Sequence, residues 1–164
     1  MAHALWSLYV PSQVAGANLV YFDLWNGSER PIYVSSLNAV KETAVAVTGL
    51  VAARLFLTRT SAVGTGGTAN TSGGTSLSAC TITNIQQYAL PTGITARLTP
   101  SGGATADAVI CERDVMPEEL GSSANYEPLE FLKAILTVPE GTGIRVVQGA
   151  VASVGNIGFD CWFY

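Results

Sequence analysis

The sequence predicts an all-β fold, an antiparallel β-sandwich of jelly-roll-like form, and three observations lead there. Its commonest pattern is a short β-branched or aromatic run closed by Gly, Pro, Asn or Ser. No segment carries a capped helical pattern of ten or more residues. Strand patterns do not alternate with helical ones, which argues against a parallel α/β sheet. Two packed antiparallel sheets are the remaining architecture. At 164 residues the chain is sized for one domain, 1–164, of the usual ~100–200 residues.

In chain order, 3–10 alternates Ala4, Trp6, Leu8 and Val10 against Leu5, Ser7 and Tyr9, and residues 1–17 form an amino-terminal strand or arm. Residues 18–25 read as a strand apolar on both faces, and Asn26-Gly27-Ser28 signals the turn that ends it. The next strand, 31–40, sets Ile32, Val34 and Ser36 opposite Tyr33, Ser35 and Leu37. Residues 48–60 are the longest strand candidate, and Arg54 and Arg59 within it require partners or solvent. Residues 61–78 are almost wholly Gly, Thr, Ser and Ala, too small and polar to pack, and predict a long flexible surface loop. That stretch contains no Lys, so it is not a phosphate-cradling P-loop. Further strands follow at 79–85, 95–99, 108–115, 132–138, 143–147 and 156–164. Leu129, Leu132 and Leu136 also fit helical spacing, but strand is preferred there because Val138-Pro139-Glu140-Gly141 reads as a hairpin turn whose second arm is 144–147. The apolar segment 156–164 requires pairing within a sheet or burial at an interface, since a bare edge of that kind aggregates.

Composition narrows the function. Eight Lys plus Arg against twelve Asp plus Glu give a net charge of −4, which argues against a nucleic-acid-binding surface. Charged residues are 12% of the chain and apolar ones 48%, where a soluble domain carries about 25% charged residues. A chain with so much apolar surface and so few charges is expected to bury part of itself against partners. The first 22 residues carry no Lys, Arg, Asp or Glu. They lack the positive n-region of a signal peptide, and Pro11, Ser12, Gln13 and Asn18 interrupt them, so neither leader nor membrane anchor is expected. Cys80, Cys111 and Cys161 are odd in number, widely spaced and free of metal-binding patterns, and are read as buried thiols of a reducing compartment.

Catalytic chemistry finds little purchase. His3 is the only histidine, too near the start of the chain to serve as a general base. Glu118-Glu119 and Glu112 with Asp114 are the carboxylate pairs a glycosidase could use, but adjacency in sequence does not create the facing geometry that mechanism needs. No enzyme activity, cofactor or metal is expected. Six of the twelve acids, Glu112, Asp114, Glu118, Glu119, Glu127 and Glu130, lie in the nineteen residues 112–130. With Pro117, Gly121, Tyr126 and Pro128 they predict an acidic loop excursion, solvated or facing a basic partner. Trp25 beside Asp23 and Asn26 is a possible sugar platform, weighed against ordinary core packing.

Several segments resemble a group of small structural proteins of tailed bacteriophages. They are Phe22-Asp23-Leu24-Trp25-Asn26-Gly27-Ser28, the strand after it, Leu90-Pro91-Thr92-Gly93-Ile94-Thr95-Ala96, Leu136-Thr137-Val138-Pro139-Glu140-Gly141 and the closing Phe-x-Cys-Trp-Phe. The resemblance covers nearly the whole chain in short, degenerate pieces. It implies a capsid decoration, or cement, protein: a jelly-roll protomer, commonly trimeric, on the outer surface of an icosahedral head, made in the host cytoplasm and bound to the major capsid protein, with no nucleic acid or membrane involved. The contact residues expected for that role are Trp6 and Tyr9 in the amino-terminal segment and Glu112, Asp114, Glu118, Glu119, Tyr126 and Glu127 in the acidic segment. The alternative role is a phage tail, receptor-binding or carbohydrate-binding β-sandwich module.

Overall fold

The computed structural model describes residues 5–42, 53–72, 80–84, 88–102, 106–115, 129–130, 132, 134–151 and 155–164. Among them there is no helix, and two sheets pack face to face as a β-sandwich. The longer strands are β1 (Trp6–Val14), β2 (Val20–Asn26), β3 (Ile32–Glu42), β4 (Ala53–Thr60), β9 (Ala106–Val115), β12 (Thr142–Gln148) and β13 (Asn156–Phe163). The shorter ones are β5 (Thr68–Ala69), β6 (Thr71–Ser72), β7 (Thr81–Asn84), β8 (Ile94–Leu98), β10 (Leu129–Glu130) and β11 (Leu136–Val138).

Four antiparallel pairings nest inside one another. β1 pairs with β13, β2 with β12, β3 with both β10 and β11, and β4 with β9. The first half of the chain therefore runs beside the second half in reverse order, and β1 to β4 alternate between the two sheets, a nested, jelly-roll-like arrangement within the sandwich. One sheet (sheet A) runs β10-β3-β13-β1-β7-β6 with β11 also on β3, and the other (sheet B) runs β5-β8-β2-β12-β4-β9. The segment between β4 and β9 widens both: β8 adds to β2, and β7 adds to β1. The pair β6 and β7 is parallel.

The inner faces follow the period-2 alternation of the strands. Leu8 and Val10 of β1, Val34 and Leu37 of β3, and Phe159, Cys161 and Phe163 of β13 meet Phe22, Leu24, Leu55, Leu57, Ile144 and Val146 from sheet B, all buried. The aromatic centre spans both sheets. Phe159 lies edge-on to Tyr21 at 5.3 Å and tilted against Phe22 at 5.4 Å between ring centroids.

Several expectations are corrected. β1 continues past Val10 to Val14, because a register shift between Val10 and Gln13 takes Pro11, which has no N–H to give, out of the ladder. The 138–141 turn is real, with Gly141 at φ +66° and the Thr142 N–H donating to Pro139 O at 3.3 Å, but its arms do not form a hairpin. β11 belongs to sheet A and β12 to sheet B, so the turn carries the chain across the sandwich. Among the described residues of 132–138, only Leu136–Val138 is strand. The loop expected over 61–78 contains β5 and β6, and residues 61–70 lie as a hydrogen-bonded strap on the outer face of sheet B; 73–79 lie outside the described residues. Glu112 and Asp114 stand within β9 rather than in a loop. Cys80 and Cys161 are buried, Cys111 only half so, and none of the three is disulfide-bonded.

Two buried amides pin opposite ends of the sandwich. At one end Gln148, 1% exposed, accepts from the Tyr21 hydroxyl at 2.7 Å and the Gly16 N–H at 3.1 Å, and its own amide donates to Val151 O at 3.0 Å. At the other, Asn26 donates to Arg30 O at 2.8 Å and Val138 O at 3.0 Å while accepting from the Ser28 N–H and hydroxyl. Asn26 thus ties the β2–β3 corner to the end of β11.

Candidate functional site

The two outer faces differ in chemistry. Strand register puts Ser7 and Tyr9 of β1, Ser36 and Asn38 of β3, Thr83 of β7, and Asp160 and Trp162 of β13 on the outside of sheet A. Trp162 is flanked by Ser7 and Ser36, and Asp160 by Tyr9 and Asn38. The sole charge among these residues, Asp160, accepts a 2.8 Å hydrogen bond from Trp162 Nε1. Tyr9 is 42% exposed. Further along, Tyr33 and Tyr164 exchange backbone hydrogen bonds of 2.9 and 3.0 Å and stack their rings at 5.4 Å.

This strip leads into an open groove of about 860 Å³ lined by Trp6, Arg30, Pro31, Tyr33, Pro91 and Tyr164 among others. The Asn26 knot shapes its floor. The groove sits where the β2–β3 corner meets the loop before β8, and the amide of Gly27 donates to Gly93 O at 2.9 Å to join them. Gly93 is at φ +91°, and a Cβ there would overlap the Gly27 carbonyl, so glycine is required for the approach.

The outside of sheet B is ionic instead. Arg54 reaches Glu112 at 3.0 Å and Asp114 at 3.3 Å, all three side chains about half exposed. Such a pair adds little stability, on the order of 0–1 kcal/mol. Arg145 donates to Thr58 Oγ1 at 3.3 Å. Asp23 lies between Arg97 and Arg145 in register and is buried, with neither carboxylate oxygen accepting a well-aligned hydrogen bond. Burial pushes its pKa up, and the charges of Arg97 and Arg145 and the nearby backbone N–H groups of Arg97 and Gly64 only partly offset this. Burial likewise raises the Tyr21 hydroxyl and the Cys161 thiol, and lifts Cys80 to about 12, so none of these is a reactive group at neutral pH.

The expected contact residues are therefore distributed unevenly. Tyr9 is on the open aromatic face, whereas Trp6, at 6% exposure, is core and groove wall rather than a free contact. Glu112 and Asp114 are on the opposite sheet, occupied with Arg54. Glu118, Glu119, Tyr126 and Glu127 lie outside the described residues. The sugar platform built on Trp25 loses its polar pair: Asn26 is spent on the corner knot, and Asp23 is covered by the 61–70 strap. The outward pairing of Asp160 with Trp162 was not anticipated, although the alternation Phe159, Cys161, Phe163 against Asp160, Trp162 carries it.

No protein-family model, curated protein or solved structure matches the chain. Among the described residues no group of three or more His, Cys, Asp and Glu could hold a metal ion, and no helix is long and apolar enough to cross a membrane.

Proposed function

We propose that this chain is a structural virion protein that decorates and stabilises the outside of an icosahedral phage head, binding the major capsid protein as a symmetric homo-oligomer, a trimer by preference. The observation that carries the reading is the outer face of sheet A. The centre of that face, on β1, β13 and β3, presents aromatic rings, hydroxyls and amides around one carboxylate, Asp160, already hydrogen-bonded to Trp162, and a second carboxylate, Glu130, stands opposite Asn38 at the exposed β10 edge. Covering such a face removes apolar area from water without stripping unpaired charges, which is what an interface core requires. The low charge content of the whole chain and the jelly-roll-like topology support the same reading. A three-fold ring needs a head-to-tail contact, and the aromatic strip and the groove at its end supply two different surfaces that such a contact could join.

Sedimentation velocity tests the self-association. The wild-type chain is expected to sediment as a closed oligomer. Tyr9→Glu, which places a second carboxylate beside Asp160 without touching the core, is expected to weaken association tenfold or more, roughly the effect of losing an interface hot spot, with an unchanged circular dichroism spectrum. A wild-type chain that stays monomeric at every concentration contradicts the oligomer. So does a variant that associates as tightly as the parent.

A further inference from the structure

The feature of sheet B that the interface reading leaves unused is the buried carboxylate of Asp23 beneath the 61–70 strap. Asp23 is 2% exposed, and both oxygens lack a well-aligned hydrogen bond. Above it runs Gly64, so close that a Cβ at that position would overlap Asp23 Oδ2. Two residues at positive φ follow, Gly66 at +68° and Gly67 at +61°, the second packed on the carbonyls of Leu98 and Thr99. Thr99 itself sits at φ +44°, a strained conformation for a β-branched residue.

The strap is held mainly at Thr65 and Asn70. The Thr65 N–H donates to Gly102 O at 2.6 Å and its carbonyl accepts from the Ser101 and Gly102 N–H groups at 3.1 and 3.3 Å. The Asn70 N–H donates to Ala96 O at 2.8 Å and its Oδ1 accepts from the Ala96 N–H at 3.1 Å. Arg97 Nη1 donates to Gly66 O at 3.1 Å, and the two-residue β5 pairs with β8. The groups that face Asp23 are Arg97 on β8, Arg145 on β12 and the Cys80 thiol, which feels its charge; the strap contributes no ionisable side chain.

We propose that the 61–70 segment is a strap whose closure over sheet B is set by the protonation of Asp23: closed over the neutral carboxyl, and loosened when the carboxylate forms and draws water. The energetic logic is that burial of the anion outweighs what the charges of Arg97 and Arg145 and the backbone N–H groups of Arg97 and of Gly64 in the strap return to it, whereas lifting a glycine-rich segment that carries no large side chain except Val63 costs little apolar burial. The direction follows from linkage. Asp23 holds its proton more tightly when covered, as its raised pKa indicates, so the closed state is favoured below the ordinary aspartate range and loses ground as pH rises through the covered value.

Hydrogen exchange of the intact protein, read by mass spectrometry and corrected for the intrinsic pH dependence of exchange, tests this. From about pH 4, the ordinary aspartate value, the corrected protection of the 61–70 amides is expected to fall with rising pH, by at most about tenfold per unit until the covered carboxyl has ionised, while β1 and β13 remain protected. Asp23→Asn is expected to abolish that slope and keep the strap protected throughout. Gly64→Ala is expected to lower strap protection at every pH. A wild-type strap whose corrected protection is independent of pH overturns the proposal whatever the variants do. An unchanged slope in Asp23→Asn, or undiminished protection in Gly64→Ala, also overturns it.

Discussion

Phe159→Ala is expected to destabilise the fold by about 3–5 kcal/mol, lowering the melting midpoint by on the order of 10 °C for a chain of this size. Phe159 is 1% exposed at the centre of β13, the strand between β3 and β1, and its ring is the piece of sheet A that fits between Tyr21 and Phe22 of sheet B. Removing it deletes the transfer energy of the ring and two aromatic contacts, and it leaves a cavity that backbones paired on both sides cannot collapse to fill. Phe159→Leu, which retains most of the volume, is expected to lose less than half as much. Urea denaturation followed by circular dichroism measures both. An alanine variant within about 1 kcal/mol of the parent would show that the aromatic trio does not hold the sheets together.

Asn26→Ala is expected to cost about 2–4 kcal/mol, although Asn26 is polar. Its amide supplies donors to two carbonyls on different segments, Arg30 O and Val138 O, and its oxygen receives the Ser28 N–H and hydroxyl. The truncation leaves those groups buried without partners and frees the corner that supports the groove beside Trp6 and Tyr33. Asn26→Asp is expected to be nearly as damaging, because a carboxylate retains the acceptor and loses both donors. Asn38→Ala, on the open face of sheet A, is expected to cost about 0.5 kcal/mol or less and serves as the control. Denaturation midpoints report stability, and tryptophan emission reports whether the surroundings of Trp6 have opened.

The fold was legible because burial imposes a period of two on a strand. That alternation reads directly onto β13 over 159–163, whereas in β3 it holds only for Ile32 and Val34: a register irregularity at Ser35 shifts the phase, so Leu37 and Ala39 face the core with Val34 and Ser36 faces out, opposite to the placement expected from strict alternation over 31–40. Gly, Pro and Asn punctuate where the chain turns. What sequence could not supply was which sheet each strand joins. The turn at 138–141 has the local chemistry of a hairpin, yet the chain crosses from sheet A to sheet B there, a decision made by the tertiary pairing of β11 with β3 and β12 with β2. Composition also misled at 61–70. Glycines that suggest a slack loop are needed because the backbone passes close over Asp23 and Leu98, where a Cβ would collide.

The aromatic face was only half legible. Tyr9 could be named from its alternation with Leu8 and Val10, but its meeting with Asp160 and Trp162 depends on β1 and β13 being neighbours though separated by most of the chain. Glu112 and Asp114 drew attention as part of an acidic run, while their cross-strand partner Arg54 lies 58 and 60 residues away in number and could not be assigned before β4 and β9 were paired. Trp25, Asp23 and Asn26 illustrate the converse: three residues within one four-residue stretch suited to a ligand by type, two of which are consumed by the architecture.

Co-sedimentation with undecorated heads of the phage to which the proposed function assigns this chain tests that proposal most directly. Saturable binding at a fixed ratio of copies to capsid subunits, lost or much weakened by Tyr9→Glu while the variant stays folded, is the predicted result. Wild-type protein that remains in the supernatant above bare heads, at concentrations where its own oligomer is intact, would contradict it.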